Sequence, residues 1–290
     1  MIKILVTGGT GMLGRSLCKY LAKVNFDVVV HGFQNEADIM IDLLDSLAVH
    51  EALDRIQPDV IINLVCLSDV DRNEKDQNLA YQLNVKTIEN IVSWVKLRAA
   101  KTNLIQISTD HVYDSEGINK EHNVVFRNVY AATKYCAERV ALDANAAVLR
   151  TNFFGKSEIE HRLSFSDWIE VQLEEKLPVK LFGDVYFSPL SLETLVKMIA
   201  HVIKNFKSGI YNLGSRDGLS KAEFAHTLAK YSGKNRLVST EISVDDIGFS
   251  AVRPKGMLMD VSKFEKTFDI SLPTLDAEIK THLEGEKDNL

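Results

Sequence analysis

Near its N-terminus the chain reads Val6-Thr7-Gly8-Gly9-Thr10-Gly11-Met12-Leu13-Gly14. Gly8, Gly11 and Gly14 stand three residues apart, directly after the apolar run Ile2–Val6 and at the start of a stretch with helical apolar spacing, Met12–Val24. Glycines allow a tight turn and let the backbone approach a pyrophosphate, and the helix N-terminus offers free N–H groups and the positive end of its dipole. Between a strand and a helix, this spacing predicts a dinucleotide-binding turn rather than a glycine-rich turn without a ligand.

Further short apolar or β-branched runs follow the turn and are separated by helical patterns. They are Asp27–Val30, Ile39–Ile41, Asp59–Val65, Leu104–Ile107 and Ala147–Leu149. Strands that alternate with helices imply βαβ units and a parallel sheet, whose ligand site lies beyond the carboxyl ends of the strands. We therefore predict an α/β fold, a Rossmann doubly wound parallel sheet.

The regular alternation of predicted strands and helices changes after about residue 150. Three helical stretches, Phe165–Glu175, Leu192–Asn205 and Lys221–Tyr231, are separated by the short strand-like pieces Val179–Phe182 and Ile210–Leu213. We predict an NAD(P)-binding Rossmann domain over 1–155 and a smaller α/β C-terminal substrate lobe over 156–290, with some segments crossing back.

Composition excludes several classes of protein. The 290 residues are 46% hydrophobic and 26% charged, with a net charge of −6, which is an ordinary globular balance without a basic footprint for nucleic acid. The three cysteines form no CxxC pair and the eight histidines show no metal spacing, so we predict no metal site. No signal-peptide core or membrane-length apolar run occurs, and we expect a cytoplasmic protein without a membrane partner.

The adenosine end of the predicted cofactor site leaves NAD and NADP open. An acidic residue at the tip of the second strand favours NAD and a basic one favours NADP, but that tip reads Val30-His31-Gly32-Phe33. Asp42, after the short third run, is either an adenine contact or a helix cap before Leu43-Leu44.

A tyrosine and a lysine follow in Tyr130-Ala131-Ala132-Thr133-Lys134. On a helix, residues four apart lie on one face, one turn apart. A nearby ammonium favours the phenolate and so lowers a tyrosine pKa, which lets the phenol exchange a proton with a substrate oxygen near neutral pH. An isolated pair of this kind is more often a surface coincidence.

A hydroxyl at the end of the fifth strand strengthens the catalytic interpretation. The sequence there reads Ile107-Ser108-Thr109-Asp110-His111. A hydroxyl at this position can hydrogen-bond the same substrate oxygen; Thr109 is our choice and Ser108 the alternative, while a mere cap of the strand end is the structural explanation. Three motifs in this order favour catalysis by Thr109, Tyr130 and Lys134.

With these motifs the chain resembles an extended short-chain dehydrogenase/reductase. The string Ser108-Thr109-Asp110-His111-Val112-Tyr113-Asp114, followed by Asn128-Val129-Tyr130, resembles the dTDP-4-dehydrorhamnose reductase branch of that family, as do Pro58–Asn63, Leu83-Asn84-Val85 and Arg253-Pro254. The resemblance implies an oxidoreductase of deoxysugar biosynthesis, such as dTDP-rhamnose biosynthesis, that uses NADP or NAD and a nucleotide-linked 4-keto-6-deoxy sugar.

The resemblance also implies roles for individual residues. Tyr130 would donate the proton, Thr109 would hydrogen-bond the oxygen, and Lys134 would orient the ribose and tune Tyr130. The implied cofactor-binding set is Gly8, Thr10, Gly11, Met12, Leu13, Gly14, His31, Asp42, Leu43, Leu64, Val65, Asn84, Ser108, Tyr130, Lys134 and Phe153. The implied substrate set is Ser68, Val70, Thr109, Asp110, His111 and Arg253.

Departures from the family pattern concern the sugar pocket more than the proton relay. His111 replaces a tyrosine, Phe153 stands where a tryptophan is common, and Ala131 stands where the family usually has glycine. The sugar and its nucleotide therefore stay open. Homodimers are common among such enzymes, and no segment of the sequence identifies an interface.

Two other functions are kept as alternatives. A sugar-nucleotide epimerase on the same scaffold would show no net cofactor consumption, and a dehydratase would need a Glu where His111 follows Asp110. The chain is also similar to the NADP-binding regulatory β subunit of methionine adenosyltransferase, notably at Asp42-Leu43-Leu44-Asp45-Ser46, and that subunit retains a similar Tyr/Lys pair.

Overall fold

The computed structural model describes residues 1–33, 36–98, 101–159, 162–233 and 237–287. The chain divides into two compact units. Unit 1 comprises Met1–Thr109, Arg127–Arg150 and Val196–Tyr211, and unit 2 comprises Asp110–Phe126, Thr151–Leu195 and Asn212–Leu290. The assignment of 1–155 to the cofactor and 156–290 to the substrate stays a prediction.

A seven-stranded sheet forms the frame of the Rossmann fold. Its strands are β1 (Lys3–Thr7), β2 (Asp27–Gly32), β3 (Ile39–Met40), β4 (Val60–Asn63), β5 (Asn103–Thr109), β6 (Ala147–Thr151) and β11 (Gly209–Leu213), in the spatial order β11-β6-β5-β4-β1-β2-β3. The pairs β1/β2, β1/β4, β2/β3 and β4/β5 are parallel. The order reverses beside β1, as in a doubly wound nucleotide-binding sheet, and the predicted fold class is confirmed.

Helices connect these strands. Those that precede β6 are α1 (Met12–Lys23), α2 (Ser46–Ile56), α3 (Val70–Lys75), α4 (Gln77–Tyr81), α5 (Thr87–Leu97) and α6 (Val129–Leu142). A π-helical turn, Gln82–Lys86, joins α4 to α5. Apolar faces of α2, α5 and α6 pack on β1, β4, β5 and β6 in a core that includes Leu5, Leu53, Ile61, Trp94 and Val148.

Unit 2 contains short strands and four further helices that begin beyond residue 151. The strands are β7 (Phe153–Phe154), β8 (Val179–Phe182), β9 (Tyr186–Phe187), β10 (Leu190–Ser191), β12 (Leu219–Ser220), β13 (Ser239–Ile242) and β14 (Gly256–Met257). The helices are α7 (Phe165–Glu175), α9 (Lys221–Ser232), α10 (Ser262–Phe268) and α11 (Leu275–Lys287), while α8 (Leu192–Lys204) runs on into unit 1. A separate core of Phe154, Ile169, Phe187, Phe224 and Leu275 holds this unit together.

Most predicted elements occur within one or two residues of their predicted ends. The two-residue strands β7, β9, β10, β12 and β14 carry too short a pattern to be predicted, because alternation over two residues has no statistical content. Among the described residues, no helix combines the length and apolar character needed to cross a membrane.

Candidate active site

The glycine turn connects β1 to α1 and is shaped by two close backbone approaches. Gly8 has φ +71°, a left-handed conformation that suits glycine, and the Gly11 N–H donates to the Gly8 carbonyl at 3.0 Å. A Cβ on Gly14 would lie 2.5 Å from Gly8 O and 2.6 Å from Gly9 Cα. Gly11 is the N-cap of α1 and brings no side-chain cap, so the first-turn amides keep donors for an anion.

The His31 ring contacts the backbone of this turn. The Gly8 N–H donates to His31 Nδ1 at 3.2 Å, and Nε2 lies 3.0 Å from the carbonyl of Ile41. The side chain is 2% exposed, and burial lowers its pKa, which keeps the ring neutral and Nδ1 an acceptor. Both ring nitrogens of His31 thus contact backbone groups, one in the glycine turn and one at Ile41.

Other members of the implied cofactor set divide into surface and interior residues. Asp42 is exposed and accepts from the Leu44 N–H at 2.9 Å, while the cap of α2 is Asp45, which accepts from Leu47 and Ala48. Leu43 is 5% exposed and belongs to the core. Val65 packs against Gly8, where an added Cβ would come within 3.2 Å of Val65 Cγ2.

Asn84 lies in the interior of unit 1 and joins three elements. Its amide donates to Asn73 Oδ1 and Thr133 Oγ1, both at 2.9 Å, and its carbonyl oxygen accepts from the Leu67 N–H at 2.7 Å. Thr133 is on α6, and Leu67 is on the loop after β4 that carries Ser68 and leads into α3 at Val70. Asn84 therefore connects this loop to the tyrosine helix.

The helix α6, which carries Tyr130 and Lys134, begins at a well-defined cap. Asn128 is the N-cap, and its side chain accepts from the Ala131 N–H at 2.8 Å. The Val129 N–H donates to Glu74 Oε2 at 3.0 Å, so two of the first-turn donors are satisfied by side chains. These caps place Tyr130 in the first turn of the helix.

Lys134 is oriented toward the end of β5. Its side chain is 3% exposed, and Nζ donates to the Ile107 carbonyl at 2.7 Å. Two residues later β5 ends at Thr109, which is 5% exposed. The structure thus brings the lysine of the YxxxK pair to the strand that carries the predicted hydroxyl, and Tyr130 lies one helical turn before the lysine.

A buried ion pair beside these residues was not predicted from the sequence. Arg150 on β6 donates to Glu138 on α6 through Nε at 2.8 Å and Nη2 at 2.6 Å, and both side chains are 0% exposed. The Ser108 hydroxyl donates to the same carboxylate at 2.5 Å. This bond occupies the hydroxyl of Ser108, and the choice of Thr109 for the substrate oxygen stays a prediction. An arginine inside the otherwise apolar run Ala147–Thr151 was the available signal.

A second set of buried polar side chains is hydrogen-bonded across β1, β4 and β5. Thr7 Oγ1 donates to Asn63 Oδ1 at 2.6 Å, and Asn63 Nδ2 donates to Gln106 Oε1 at 2.8 Å. Gln106 Nε2 then donates to the Ile107 carbonyl at 3.1 Å, the same oxygen that accepts from Lys134. The sequence shows polar residues at these strand positions and so indicates buried hydrogen bonds. Which residues are bonded to each other depends on the strand order.

The remaining implied substrate residues lie in unit 2. Asp110 is 0% exposed and accepts from Asn152 Nδ2 at 2.7 Å. The Arg253 guanidinium lies 4.3 Å from the Phe249 ring centroid and donates to the Ala251 carbonyl at 2.9 Å. Phe153 lies on β7 beside Leu190. No group of three or more His, Cys, Asp or Glu side chains in the described ranges is arranged to hold a metal ion.

The comparison with protein families decides the classification. The model of the family described as RmlD substrate binding domain matches residues 2–287. The chain belongs to this family. The match spans both compact units, so the matched region includes the glycine turn, the β5 and α6 residues, and unit 2.

Individual relatives of this RmlD-family chain carry two kinds of name. A probable low-salt glycan biosynthesis reductase of Haloferax volcanii is 24% identical over 286 residues, covering 94% of this chain and 95% of the relative. The methionine adenosyltransferase 2 subunit beta of Rattus norvegicus is 29% identical, covering 91% and 81%. A dTDP-4-dehydrorhamnose reductase of Bacillus anthracis, solved with NADP, superposes with a TM-score of 0.88 at 23% identity over 98% of this chain and 100% of that one.

Within unit 2, part-buried hydrogen bonds join the segment after β5 to the segment after Arg253-Pro254. Asp114 Oδ1 accepts from the Lys255 N–H at 2.7 Å and from the Gly256 N–H at 3.1 Å. Asn119 Nδ2 donates to the carbonyls of Gly256 and Leu258, each at 3.0 Å. The segment after β5 is therefore held against the segment that follows Arg253.

His111, which replaces the family's tyrosine, has a strongly lowered pKa. Burial, assisted by Lys221 and Arg253, lowers its pKa from 6.5 to about 3. Between those values the unfolded chain binds a proton that the folded chain does not, so this contribution to stability is complete above about pH 6.5 and is lost as the pH falls toward 3. The loss amounts to at most about 1.4 kcal/mol per pH unit.

We expect His111→Gln to flatten this dependence of the free energy of unfolding on pH. The measurement is urea unfolding at about pH 7 and about pH 5, where a single proton contributes up to roughly 1.4 kcal/mol per unit. The exposed His122, in the same unit, provides the control, because His122→Gln is expected to keep the wild-type slope. An unchanged slope in His111→Gln would contradict the assignment.

Proposed function

We propose that the chain is an NAD(P)H-dependent reductase of a nucleotide-linked 4-keto-6-deoxy sugar. The observation that carries this proposal is the buried Lys134 ammonium, which lies 2.7 Å from the Ile107 carbonyl at the end of β5, one helical turn after Tyr130 and two residues before Thr109. A purely structural lysine is seldom buried so completely, since burial of an ammonium is costly.

The glycine turn fits a dinucleotide in two respects. A side chain on Gly14 would meet backbone atoms, so the turn is closed tightly onto α1, and the first-turn amides of α1 are left without a side-chain cap. A bound reduced nicotinamide supplies the hydride in this class of reaction. The residues that would hold the phosphates are the amides from Gly11 to Leu13, and NAD and NADP both stay open.

Side chains of the protein supply and stabilise the proton transfer to the sugar oxygen. Tyr130 is the general acid that donates its phenolic proton to the oxygen at C4 of the sugar, and the Thr109 hydroxyl donates a hydrogen bond to the same oxygen. Lys134 places a positive charge beside the phenol and stabilises the phenolate that is left after the transfer. Asp110, His111 and Arg253, in unit 2, are the proposed sugar and diphosphate contacts.

The substrate class draws support from the names of the relatives. The Haloferax volcanii relative is named a glycan biosynthesis reductase, and the Bacillus anthracis structure a dTDP-4-dehydrorhamnose reductase. Both names describe reductases, and the second one supports a nucleotide-linked keto sugar as the proposed substrate class. His111 and Phe153 are the positions at which the choice of sugar is expected to differ.

The test of this function is oxidation of NADH or NADPH, followed by the loss of absorbance of the reduced nicotinamide, with dTDP-4-keto-6-deoxyglucose prepared in situ. UDP- and GDP-linked keto sugars serve as parallel substrates. We expect turnover with at least one of them and conversion of the ketone to an alcohol. Binding of the dinucleotide without oxidation, across all three nucleotides, would contradict the proposal.

A regulatory role is the second candidate, because the rat methionine adenosyltransferase subunit beta is a relative with 29% identity. Such a role would need a stable complex with a methionine adenosyltransferase catalytic subunit. Sedimentation of a mixture of the two proteins, with and without NADP, separates the candidates. Comigration together with absent keto-sugar turnover would favour the regulatory role over the reductase.

A further inference from the structure

The Glu138–Arg150 pair is unusual because it is charged, bidentate and fully buried. Both side chains are 0% exposed, and the two hydrogen bonds measure 2.8 and 2.6 Å. The Ser108 hydroxyl adds a third donor to the carboxylate at 2.5 Å. Parallel N–H···O bonds from a guanidinium fix the orientation of a carboxylate in its plane, so Glu138 presents Oε1 to Ser108 in one defined direction.

Stability alone gives no reason for this pair. Removing two charges from water is expensive, and apolar residues of similar volume often replace a buried pair with no loss of stability or with a gain. The pair does connect three elements of unit 1, however. Arg150 is on β6, Glu138 is on α6, and Ser108 is the penultimate residue of β5.

Two polar contacts of α6 hold consecutive residues of β5. Lys134 Nζ donates to the Ile107 carbonyl, and Glu138, one turn further along the helix, accepts from the Ser108 hydroxyl. Thr109 follows immediately, and Tyr130 lies one turn before Lys134. The register of α6 against the end of β5 therefore depends on both contacts.

We infer that Glu138 and Arg150 are positioning residues of the proposed reductase: the carboxylate, oriented by Arg150, holds Ser108 and thereby sets Thr109 in place relative to the tyrosine helix. This inference rests on the proposed function. Neither residue is assigned contact with substrate or cofactor. A displacement of about 1 Å at a reacting group can lower a rate by about 100-fold, so a loosened β5 end is expected to affect kcat.

The experiment compares two double variants that both remove the charges. Glu138→Met with Arg150→Met leaves no acceptor for Ser108, whereas Glu138→Gln with Arg150→Met retains a side-chain oxygen at the same position. We expect the first to fold and bind NADPH but to lose kcat by at least about tenfold with KM for the keto sugar within about threefold. The second should recover kcat to within about threefold of the wild type.

A matched control is available on the surface of the same unit. Arg98 donates to Asp54 through Nε at 3.0 Å and Nη2 at 2.6 Å, so this pair has a similar geometry but is exposed. Asp54→Met with Arg98→Met should leave kcat within about twofold of the wild type, because the pair contacts none of the proposed catalytic residues.

A readout independent of turnover is amide hydrogen exchange at Ile107–Thr109. Exchange should accelerate in the Met/Met variant and return toward the wild-type rate in the Gln/Met variant. If the wild type reduces no keto sugar, the proposed function fails while exchange still tests the positioning role. If the Met/Met variant does not fold, Ser108→Ala replaces it, and faster amide exchange at Thr109 is then the deciding readout, because the resemblance also implies a cofactor contact for Ser108.

Two results would overturn the inference. The first is a folded Met/Met variant, or Ser108→Ala, that keeps wild-type kcat and wild-type exchange. The second is a Gln/Met variant as impaired as the Met/Met variant, since the retained oxygen would then be irrelevant and the pair would matter only for packing.

Discussion

Replacing Tyr130 by phenylalanine is expected to lower kcat for keto-sugar reduction by about 10²–10⁴-fold, the usual contribution of a positioned general acid. The change removes the phenolic hydroxyl and keeps the ring. Because Asn128 caps the helix through the backbone of Ala131 and Lys134 is held by Ile107, neither anchor of α6 depends on that hydroxyl. Folding and dinucleotide affinity should stay near the wild type.

Tyr135 provides the matched control for this prediction. It lies on the same helix, five residues further along, and is outside the YxxxK pair. Steady-state rates of Tyr135→Phe should equal those of the wild type within about twofold. A Tyr130→Phe enzyme that retains more than about a tenth of the wild-type kcat would exclude the phenol as the main proton donor.

The second large effect is expected at Gly14, the last glycine of the turn. A methyl group on Gly14 would lie 2.5 Å from Gly8 O and 2.6 Å from Gly9 C, and these are backbone atoms that cannot rotate away. Gly14→Ala must therefore push α1 from the turn. We expect a loss of about 1–3 kcal/mol in the free energy of unfolding, typical of overpacking. We also expect dinucleotide affinity to fall by more than about tenfold, because the helix N-terminus moves from the phosphate position.

Gly11→Ala is the informative comparison for Gly14→Ala. At Gly11 the added Cβ would lie 3.2 Å from the backbone oxygen of Gly8, a milder contact than at Gly14, and φ is −76°, which alanine adopts readily. Gly11→Ala should therefore lose less stability than Gly14→Ala, while dinucleotide affinity falls because the methyl group stands where the backbone meets the pyrophosphate. Thermal unfolding and dinucleotide titration distinguish the two variants. Equal losses of stability would refute the assignment of the packing role to Gly14.

Local patterns were sufficient for the frame of the fold. The glycine spacing, the apolar runs and the four-residue separation of Tyr130 and Lys134 are properties of short segments, and backbone geometry converts each directly into a turn, a strand or a helix face. The glycine turn therefore lies between β1 and α1 as predicted, and β5 ends at Thr109. The family model, which matches residues 2–287, agrees with the same reading.

The polar interior of unit 1 was decided by tertiary structure alone. Ser108 and Glu138 are 30 residues apart in the chain, and Thr7 and Asn63 are 56 apart. Their contacts exist only because the fold places α6 against β5 and β1 beside β4, and no periodicity within one segment records these neighbours. His31 illustrates the same limit, since the sequence alone did not show that its ring contacts the Gly8 amide and the Ile41 carbonyl.

The sequence by itself thus determined the fold class, the glycine turn and the helix face shared by Tyr130 and Lys134, because each depends on backbone geometry over a few residues. Only the tertiary structure decided which buried groups support them. A buried polar side chain must find its hydrogen-bond partner among whichever elements fold against it, and for Arg150 that partner is Glu138.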